Sequence, residues 1–301
     1  MPPTATPPPA QQPPRAPRLT APALRALKGR RKIAALTAYD APTAALVDAA
    51  GVDVVLVGDS IEMVVYGAPD TLGATVERMV PHARAVSGAV QRALVVGDLP
   101  YLSYHTTPEE AVRNAARFVV DGGCRAVKLE GGSARLPMIQ AILGAEIPVM
   151  GHLGLTPQSV NALGGFKVQG KRASEGRRIL DEARRLSDAG IFALVLECVP
   201  AELAARITEA VPVPTIGIGA GAGCDGQILV LHDLIGLAPE GTRKPRFVRR
   251  YADAGALIRE AAAAYVADVR AGTFPSAEES FAADGEGEGP VPLYASREGK
   301  R

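Results

Sequence analysis

The chain has 301 residues, and its 33 lysines and arginines almost balance its 32 aspartates and glutamates, which leaves a formal net charge of +1. This balance argues against an electrostatic nucleic-acid-binding protein, and no apolar stretch reaches the roughly 18 residues that a membrane-spanning helix needs. The three cysteines lie far apart, which argues against a disulfide framework and predicts a cytoplasmic protein.

The two ends of the chain differ in composition from its middle. Eight prolines fall within residues 1–17, and residues 282–301 combine glycine and charged residues with few apolar ones. Such segments cannot bury enough apolar surface to fold, so we predict a disordered proline-rich arm at 1–17 and a disordered tail at 282–301. Residues 18–281 are predicted to form one catalytic domain.

Between these ends, short apolar runs alternate with longer segments of helical character. Runs of four to six residues, rich in β-branched side chains and leucine, are typical of strands buried on both faces of a parallel sheet. The runs are Lys32–Thr37, Val52–Val57, Ala93–Gly97, Ala126–Leu129, Ile147–Gly151, Phe192–Leu196, Val213–Ile218 and Ile228–Leu231.

The intervening segments carry helix boundary signals. One predicted helix runs from about Pro108 to Asp121. Thr107 is its candidate N-cap, Pro108 fits its first turn, and Gly122 follows its end. Eight strands that alternate with helices over about 260 residues predict an α/β fold, a (β/α)8 barrel. An open doubly wound sheet is the alternative.

Ionisable side chains stand at the carboxyl ends of at least five of the predicted strands. Any single one could be a helix cap, but in a barrel all these strand ends share the face that holds the active site. Three carboxylates that converge there would form an all-oxygen site suited to Mg²⁺. The residues at these strand ends are Asp59, Asp98, Lys128, Glu130, His152 and Glu197. The candidate metal ligands among them are Asp59, Asp98 and Glu130.

Other motifs give weaker signals. The glycines of Gly217–Gly223 lack the helix and the downstream acidic residue of a dinucleotide-binding loop, so we expect a glycine-lined substrate loop instead. A polar loop with Lys167, Lys171 and Arg172 either meets an anionic substrate or is simply solvated. The basic residues within 243–250 are expected on a solvated or subunit-interface face, and Cys198 is expected to be a small buried filler.

The motifs together resemble those of the ketopantoate hydroxymethyltransferase (3-methyl-2-oxobutanoate hydroxymethyltransferase) family. They occur in order over about residues 20–281, and strings as long as that at 151–159 are highly specific. The matching segments are Leu36–Asp40, Leu56–Ser60, Gly97–Pro100, Val127–Gly132, Gly151–Ser159, Gly165–Gly170, Leu196–Pro200, Ile216–Gly221, Asp225–Val230 and Phe274–Phe281.

The resemblance implies a (β/α)8 TIM barrel of the phosphoenolpyruvate/pyruvate type that binds Mg²⁺ and forms a homo-oligomer, typically a decamer. It implies transfer of the one-carbon unit of 5,10-methylenetetrahydrofolate to 3-methyl-2-oxobutanoate, which gives 2-dehydropantoate for pantothenate biosynthesis. Asp59, Asp98 and Glu130 match the metal-site carboxylates. The positions that match the keto-acid pocket are Asp59, Ser60, Asp98, Lys128 and His152, and Glu197 matches the proposed general base.

One departure from the family pattern lies near this predicted site. Glu62 stands where the family commonly has a small residue, and its carboxylate could alter metal ligation or point outward.

Two other functions are alternatives for a barrel with these residues. A Mg²⁺-dependent lyase of the phosphoenolpyruvate/pyruvate barrel type would carry a cysteine in a Lys-Cys-Gly-His-like loop, and the sequence has no such string. A non-catalytic barrel paralogue is disfavoured by the intact set of candidate residues.

Overall fold

The computed structural model describes residues 18–238, 241 and 244–281. The chain divides into two compact units, Met1–Ala252 and Asp253–Arg301, and each is described by itself. The predicted disordered arm at 1–17 and tail at 282–301 lie outside the described residues.

The first unit contains a closed barrel of eight parallel strands. Each strand pairs with the next one along the chain, and the eighth pairs with the first. The strands are β1 Ile33–Thr37, β2 Val54–Val57, β3 Leu94–Asp98, β4 Ala126–Lys128, β5 Val149–Gly154, β6 Ala193–Glu197, β7 Thr215–Ile218 and β8 Gly226–Leu229. The (β/α)8 prediction is therefore confirmed, and the open sheet is excluded.

The helices of this unit are α1 Ala21–Arg25, α2 Ala41–Ala49, α3 Ile61–Val64, α4 Val76–Ala89, α5 Pro108–Val120, α6 Leu136–Gly144, α7 Val160–Leu163, α8 Ala173–Asp188, α9 Ala201–Ala210 and α10 Leu231–Leu234. Helices α2 to α9 lie between successive strands, whereas α1 precedes β1 and packs on the cluster inside the barrel, and α10 follows β8. The predicted cap at Thr107 is confirmed, since its side chain accepts a hydrogen bond from Glu110 N. No described helix is long and apolar enough to cross a membrane.

The strands β2 to β6 supply two separate cores because successive side chains point to opposite faces. In β2, Val54 and Leu56 belong to the cluster inside the barrel, whereas Val55 and Val57 belong to the cluster between the barrel and its helices. Burial on both faces explains why the strands show continuous apolar runs rather than an alternating pattern. The last predicted strand is shifted: β8 ends at Leu229, and Leu231 begins α10.

The second unit contains one long helix within the described residues, α11 Ala254–Ala271. Asp253 caps its start by accepting a hydrogen bond from Ala256 N, and Gly272 ends it in the left-handed conformation with φ of 71°. The eight strands all lie before this unit. That residues 18–281 act as one catalytic domain therefore stays a prediction.

Candidate active site

A cavity of about 660 Å³ opens at the carboxyl ends of the strands. In (β/α)8 barrels this end is where the chemistry takes place. The cavity is lined by the interior apolar side chains Leu56, Val195 and Ile228 and by all of the predicted site residues, namely Asp59, Ser60, Asp98, Lys128, Glu130, His152 and Glu197. The barrel thus brings together the residues that the sequence pattern selected.

The alternation of the strands explains why these polar side chains point inward. In β3, Leu94 and Val96 are interior residues, and Asp98 is the next interior position. The same two-residue step leads from Ala126 to Lys128 in β4. Strands β5 and β6 repeat it, from Met150 to His152 and from Val195 to Glu197. Each of these four strands therefore ends its apolar interior with an ionisable group.

Lys128 and Asp98 form a buried ion pair at the floor of the cavity. Lys128 Nζ donates to Asp98 Oδ1 at 2.7 Å and lies 3.8 Å from Glu130 Oε1. The two strands pair in register at Asp98 and Lys128, which fixes this contact. Burial alone lowers the pKa of Lys128, but the nearby carboxylates of Asp98, Glu130 and Asp59 more than compensate and raise it. Lys128 is thus a permanent cation with donors left for a ligand.

Asp59 approaches the same pair from the end of β2. Its backbone N–H donates to Asp98 Oδ2 at 3.3 Å. Burial, followed by repulsion from Asp98 and Glu130, raises the pKa of Asp59 well above its ordinary value. Burial also raises the pKa of Asp98, although Lys128 opposes the shift. Burial and the neighbouring carboxylates thus both oppose ionisation of these two side chains.

His152 lies between two glutamates on the far side of the cluster. Its Nδ1 is 3.4 Å from Glu130 Oε1 and its Nε2 is 3.3 Å from Glu197 Oε2, with the geometry of ion pairs rather than of aligned hydrogen bonds. Burial and Lys128 lower the pKa of His152, but the two glutamates overcome them and raise it to about 9. A protonated imidazole therefore links Glu130 to Glu197.

The charges of this cluster do not balance. Four carboxylates (Asp59, Asp98, Glu130 and Glu197) face two cations, Lys128 and protonated His152. When all four carboxylates are ionised, the buried cluster carries an excess of two negative charges, which one divalent cation would offset.

The donor set fits magnesium better than other metals. Within the described residues, no three carboxylate, imidazole or thiol groups are arranged as a complete metal site. Mg²⁺ does not need one, since it is usually held by one or two carboxylates together with water and substrate oxygens. Asp59 and Asp98 meet that requirement. Glu130 already accepts a hydrogen bond from Gln158 N at 3.0 Å and contacts His152, so its carboxylate suits a place behind the two direct metal ligands.

Gln158, which the sequence analysis did not single out, connects the metal-site carboxylates. Its side-chain Nε2 donates to Asp59 Oδ2 at 2.8 Å and to the Leu99 carbonyl at 3.0 Å, and its Oε1 accepts from the Tyr104 hydroxyl at 2.6 Å. The side chain is 3% exposed and all its donors and acceptors near the site are used. Its place within the highly specific segment at 151–159 was the available signal.

Tyr39 is a second residue that the predictions missed. Its buried hydroxyl is 2.8 Å from Ser60 Oγ, and its backbone carbonyl is 2.6 Å from His82 Nδ1. Desolvation raises the pKa of the Tyr39 phenol well above its ordinary value, so it remains a neutral hydroxyl. The phenol therefore holds Ser60 in place at the cavity wall.

Glu62 does not join the candidate metal site. Its carboxylate is buried and accepts two hydrogen bonds from Arg78 Nη1, at 3.0 and 3.1 Å. Gly73 packs directly against it, since a Cβ at Gly73 would lie 3.2 Å from Glu62 Oε2. The departure from the family pattern is thus compensated by a local ion pair.

Three weaker predictions are corrected or refined by the cavity. Cys198 is half-buried and lines the cavity instead of filling the core, and burial with the neighbouring Glu197 raises the pKa of its thiol to about 11. Of the three polar-loop cations, Lys167 lines the cavity, whereas Lys171 and Arg172 line a separate cleft. Lys244 and Arg246, expected on a solvated or interface face, line the cavity mouth.

Comparison with known families agrees with this site. Residues 18–277 match the family model described as ketopantoate hydroxymethyltransferase. The chain belongs to this family. A 3-methyl-2-oxobutanoate hydroxymethyltransferase of Methylobacterium sp. (strain 4-46) is 56% identical over 264 residues, which cover 87% of this chain and 91% of that protein. The protein of that name from Syntrophomonas wolfei subsp. wolfei is 54% identical over 254 residues, which cover 84% of this chain and 91% of that protein.

Solved structures show how widely the fold of this family is shared. Phosphonopyruvate hydrolase in complex with oxalate and Mg²⁺ superposes with a TM-score of 0.56 at 14% identity and covers 87% of this chain and 93% of its own. 2,3-Dimethylmalate lyase, a member of the phosphoenolpyruvate mutase/isocitrate lyase superfamily, superposes with a TM-score of 0.53 at 19% identity. The match covers 71% of this chain and 79% of that protein. These likenesses show a shared TIM-barrel fold, and the family to which the chain belongs is one of transferase enzymes.

Proposed function

We propose that the cavity transfers the one-carbon unit of 5,10-methylenetetrahydrofolate to 3-methyl-2-oxobutanoate. The observation that carries this proposal is the buried Lys128–Asp98 pair beside Asp59, with Glu197 in the same cavity. A 2-oxo acid needs a cation for its carboxylate, an electrophile for its keto oxygen and a base near C3. The cluster offers a residue or a ligand set for each need.

Lys128 and Ser60 bind the keto acid. Asp98 uses one donor of the Lys128 ammonium group, and the remaining donors are available to the substrate carboxylate. Ser60, fixed by the Tyr39 phenol, supplies a hydroxyl at the same wall. When bound, Mg²⁺ would supply Lewis-acid polarisation of the keto oxygen, and Asp59 and Asp98, with Glu130 behind them, are the residues that would hold it.

Glu197 is the proposed base. Its side chain is 15% exposed and faces the cavity, where it can take the proton from C3 of the keto acid. Gly154 brings β5 close to this strand end, because a Cβ there would collide with the Glu197 carbonyl oxygen. Leu155 N donates to that same carbonyl at 2.8 Å, which fixes the backbone of the base. His152 orients the carboxylate through Nε2.

The resulting enolate attacks the folate methylene carbon. One C–C bond forms at C3, both C–N bonds of the methylene bridge break, and the oxygen of one water becomes the new hydroxyl group. The products are 2-dehydropantoate and tetrahydrofolate. Lys128, which is permanently protonated, stabilises the negative charge of the enolate. The homo-oligomer, typically a decamer, that the sequence resemblance implies remains a prediction, and light scattering of the full chain tests it.

A transfer assay tests the proposed function. Full-length protein with Mg²⁺, 3-methyl-2-oxobutanoate and methylenetetrahydrofolate carrying ¹³C in its methylene group should give 2-dehydropantoate labelled in its hydroxymethyl carbon. The product is identified by mass spectrometry. Folded protein that gives no labelled product would contradict the proposal.

A further inference from the structure

The cavity is much larger than the keto acid requires. Its volume of about 660 Å³ lies within the range of about 300–1,000 Å³ that holds drug-sized ligands, whereas the keto acid has only five carbons. The carboxylate cluster and Lys128 occupy the buried floor, with Lys128 4% exposed. The outer part is therefore free for a second, larger ligand.

The outer walls of the cavity are apolar and accessible. Met63, Phe166 and Val168 line it and are 37%, 51% and 44% exposed. Phe247 lines it as well and packs against the loop after β7, where a Cβ on Gly219 would lie 2.9 Å from its ring. Exposed apolar side chains around one opening mark a surface that binds a planar or apolar group.

A carboxylate that has no hydrogen-bond or ion-pair partner in the described part of the chain also lines the cavity. Asp233, in α10, lines the cavity and is half-buried. Within the described residues its carboxylate accepts no hydrogen bond and forms no ion pair at contact distance. Burial raises the pKa of Asp233, and Arg250 opposes the shift from a distance. A half-buried carboxylate in a ligand cavity is completed by a pair of N–H donors.

Two exposed cations line the same cavity as the half-buried Asp233. Lys167 belongs to the loop after β5 and Arg246 to the segment after β8, and both side chains are exposed and line the cavity. Neither forms an ion pair with a carboxylate in the described part of the chain. Lys244, their neighbour at the rim, instead donates to the Val248 carbonyl at 2.9 Å and fixes that segment.

We infer that the outer part of the cavity is the folate subsite: Asp233 binds the 2-amino-4-oxo edge of the pteridine, and Lys167 and Arg246 bind the glutamate carboxylates. This inference rests on the proposed function. A half-buried carboxylate together with exposed cations matches the two ends of the cosubstrate. Its pteridine end carries the reactive methylene and must lie beside the keto acid, and its anionic glutamate end lies farthest away. The pteridine edge offers adjacent N–H groups that match one carboxylate.

Equilibrium binding tests this assignment independently of turnover. The full chain, saturated with Mg²⁺ and keto acid, is titrated calorimetrically with tetrahydrofolate carrying one or four glutamates. Asp233→Asn should weaken both forms about tenfold, because one charge-assisted hydrogen-bond pair is lost. The double variant Lys167→Ala/Arg246→Ala should lose the preference for the longer tail.

Matched control variants separate the effect of cations that line the cavity from the effect of the protein's overall charge. Lys171→Ala/Arg249→Ala removes two cations from the same two segments, but neither side chain lines the cavity, so both binding constants should stay within twofold of wild type. Exchange of the keto-acid C3 hydrogen in deuterated water, measured without folate, should be unchanged in all these variants. This readout reports the floor of the cavity alone.

The outcomes are distinguishable. Wild type that binds no tetrahydrofolate, or Asp233→Asn and Lys167→Ala/Arg246→Ala variants that bind both forms like wild type, would overturn the subsite. Wild type that binds tetrahydrofolate normally but forms no 2-dehydropantoate would leave the subsite standing and contradict the proposed function. Weakened binding in the cavity variants with normal C3 exchange is the result we expect.

Discussion

Lys128 Nζ lies 2.7 Å from Asp98 Oδ1, and the two side chains are 5% and 2% exposed. They stand at paired positions of neighbouring strands, so the barrel register itself makes this contact. Buried ion pairs add little to stability when complete, but removing one partner leaves an uncompensated charge. The pair therefore fits a site that binds an anion and a cation together.

Lys128→Met should abolish keto-acid binding and lower the free energy of unfolding by about 3 kcal/mol, because Asp98 and its neighbours lose their buried cation. Calorimetric titration with 3-methyl-2-oxobutanoate and urea denaturation measure the two effects. Lys28→Met is the matched control, since Lys28 pairs with Asp225 at the opposite end of the barrel. Normal keto-acid affinity in Lys128→Met would show that another group binds the carboxylate.

Asp59→Asn and Asp98→Asn should each weaken Mg²⁺ binding by more than about tenfold, because each removes half of the carboxylate pair. Titration of keto-acid-saturated protein with Mg²⁺ measures the dissociation constant. Asp53→Asn, whose carboxylate pairs with Arg31 at the start of β2, should leave Mg²⁺ affinity unchanged. An Asp59→Asn variant with wild-type affinity would remove Asp59 from the metal site.

Gln158→Leu should weaken Mg²⁺ binding roughly tenfold even though Gln158 is a positioning residue, because Asp59 Oδ2 loses its 2.8 Å donor. The same change leaves the Tyr104 hydroxyl unpaired, which should cost about 1–3 kcal/mol of unfolding free energy. Gln227→Leu removes an exposed amide contact as a control. If Gln158→Leu only destabilised the fold and kept Mg²⁺ affinity, its role would be structural.

Glu62→Gln should keep activity and Mg²⁺ affinity within twofold of wild type, because Glu62 faces Arg78 and not the cavity. Arg78 is 54% exposed, so the pair itself should contribute only about 1 kcal/mol in a double-mutant cycle with Arg78→Met. A change in Mg²⁺ affinity on Glu62→Gln would place this residue at the metal after all.

The sequence allowed most of the barrel to be predicted because its strands are buried on both faces. All eight apolar runs became strands, and the ionisable residues after them share one face as expected. The last strand was misplaced by two residues, since Ile228–Leu231 is apolar whether it forms a strand or begins a helix. Gln158 was missed because a single amide side chain forms no recurring pattern in the sequence. Its importance comes from contacts with Asp59 and Tyr104, which are distant in the chain.

The cavity rim could not be predicted for a related reason. Arg246 belongs to a run of basic residues that is typical of a solvated surface, and only the path of the segment after β8 brings it to the barrel mouth. Asp233 likewise follows a strand whose end was placed too late in the sequence. Long-range closure of loops over the barrel leaves no local pattern in the sequence.

The most direct test of the account is exchange of the C3 hydrogen of 3-methyl-2-oxobutanoate in deuterated water, followed by NMR without folate. Wild type with Mg²⁺ should exchange it, and Glu197→Gln should bind the keto acid normally but exchange it at least about a hundredfold more slowly, as expected for loss of a general base. Glu202→Gln, an exposed change on α9, is the control. Undiminished exchange in Glu197→Gln, or none in wild type, would contradict the account.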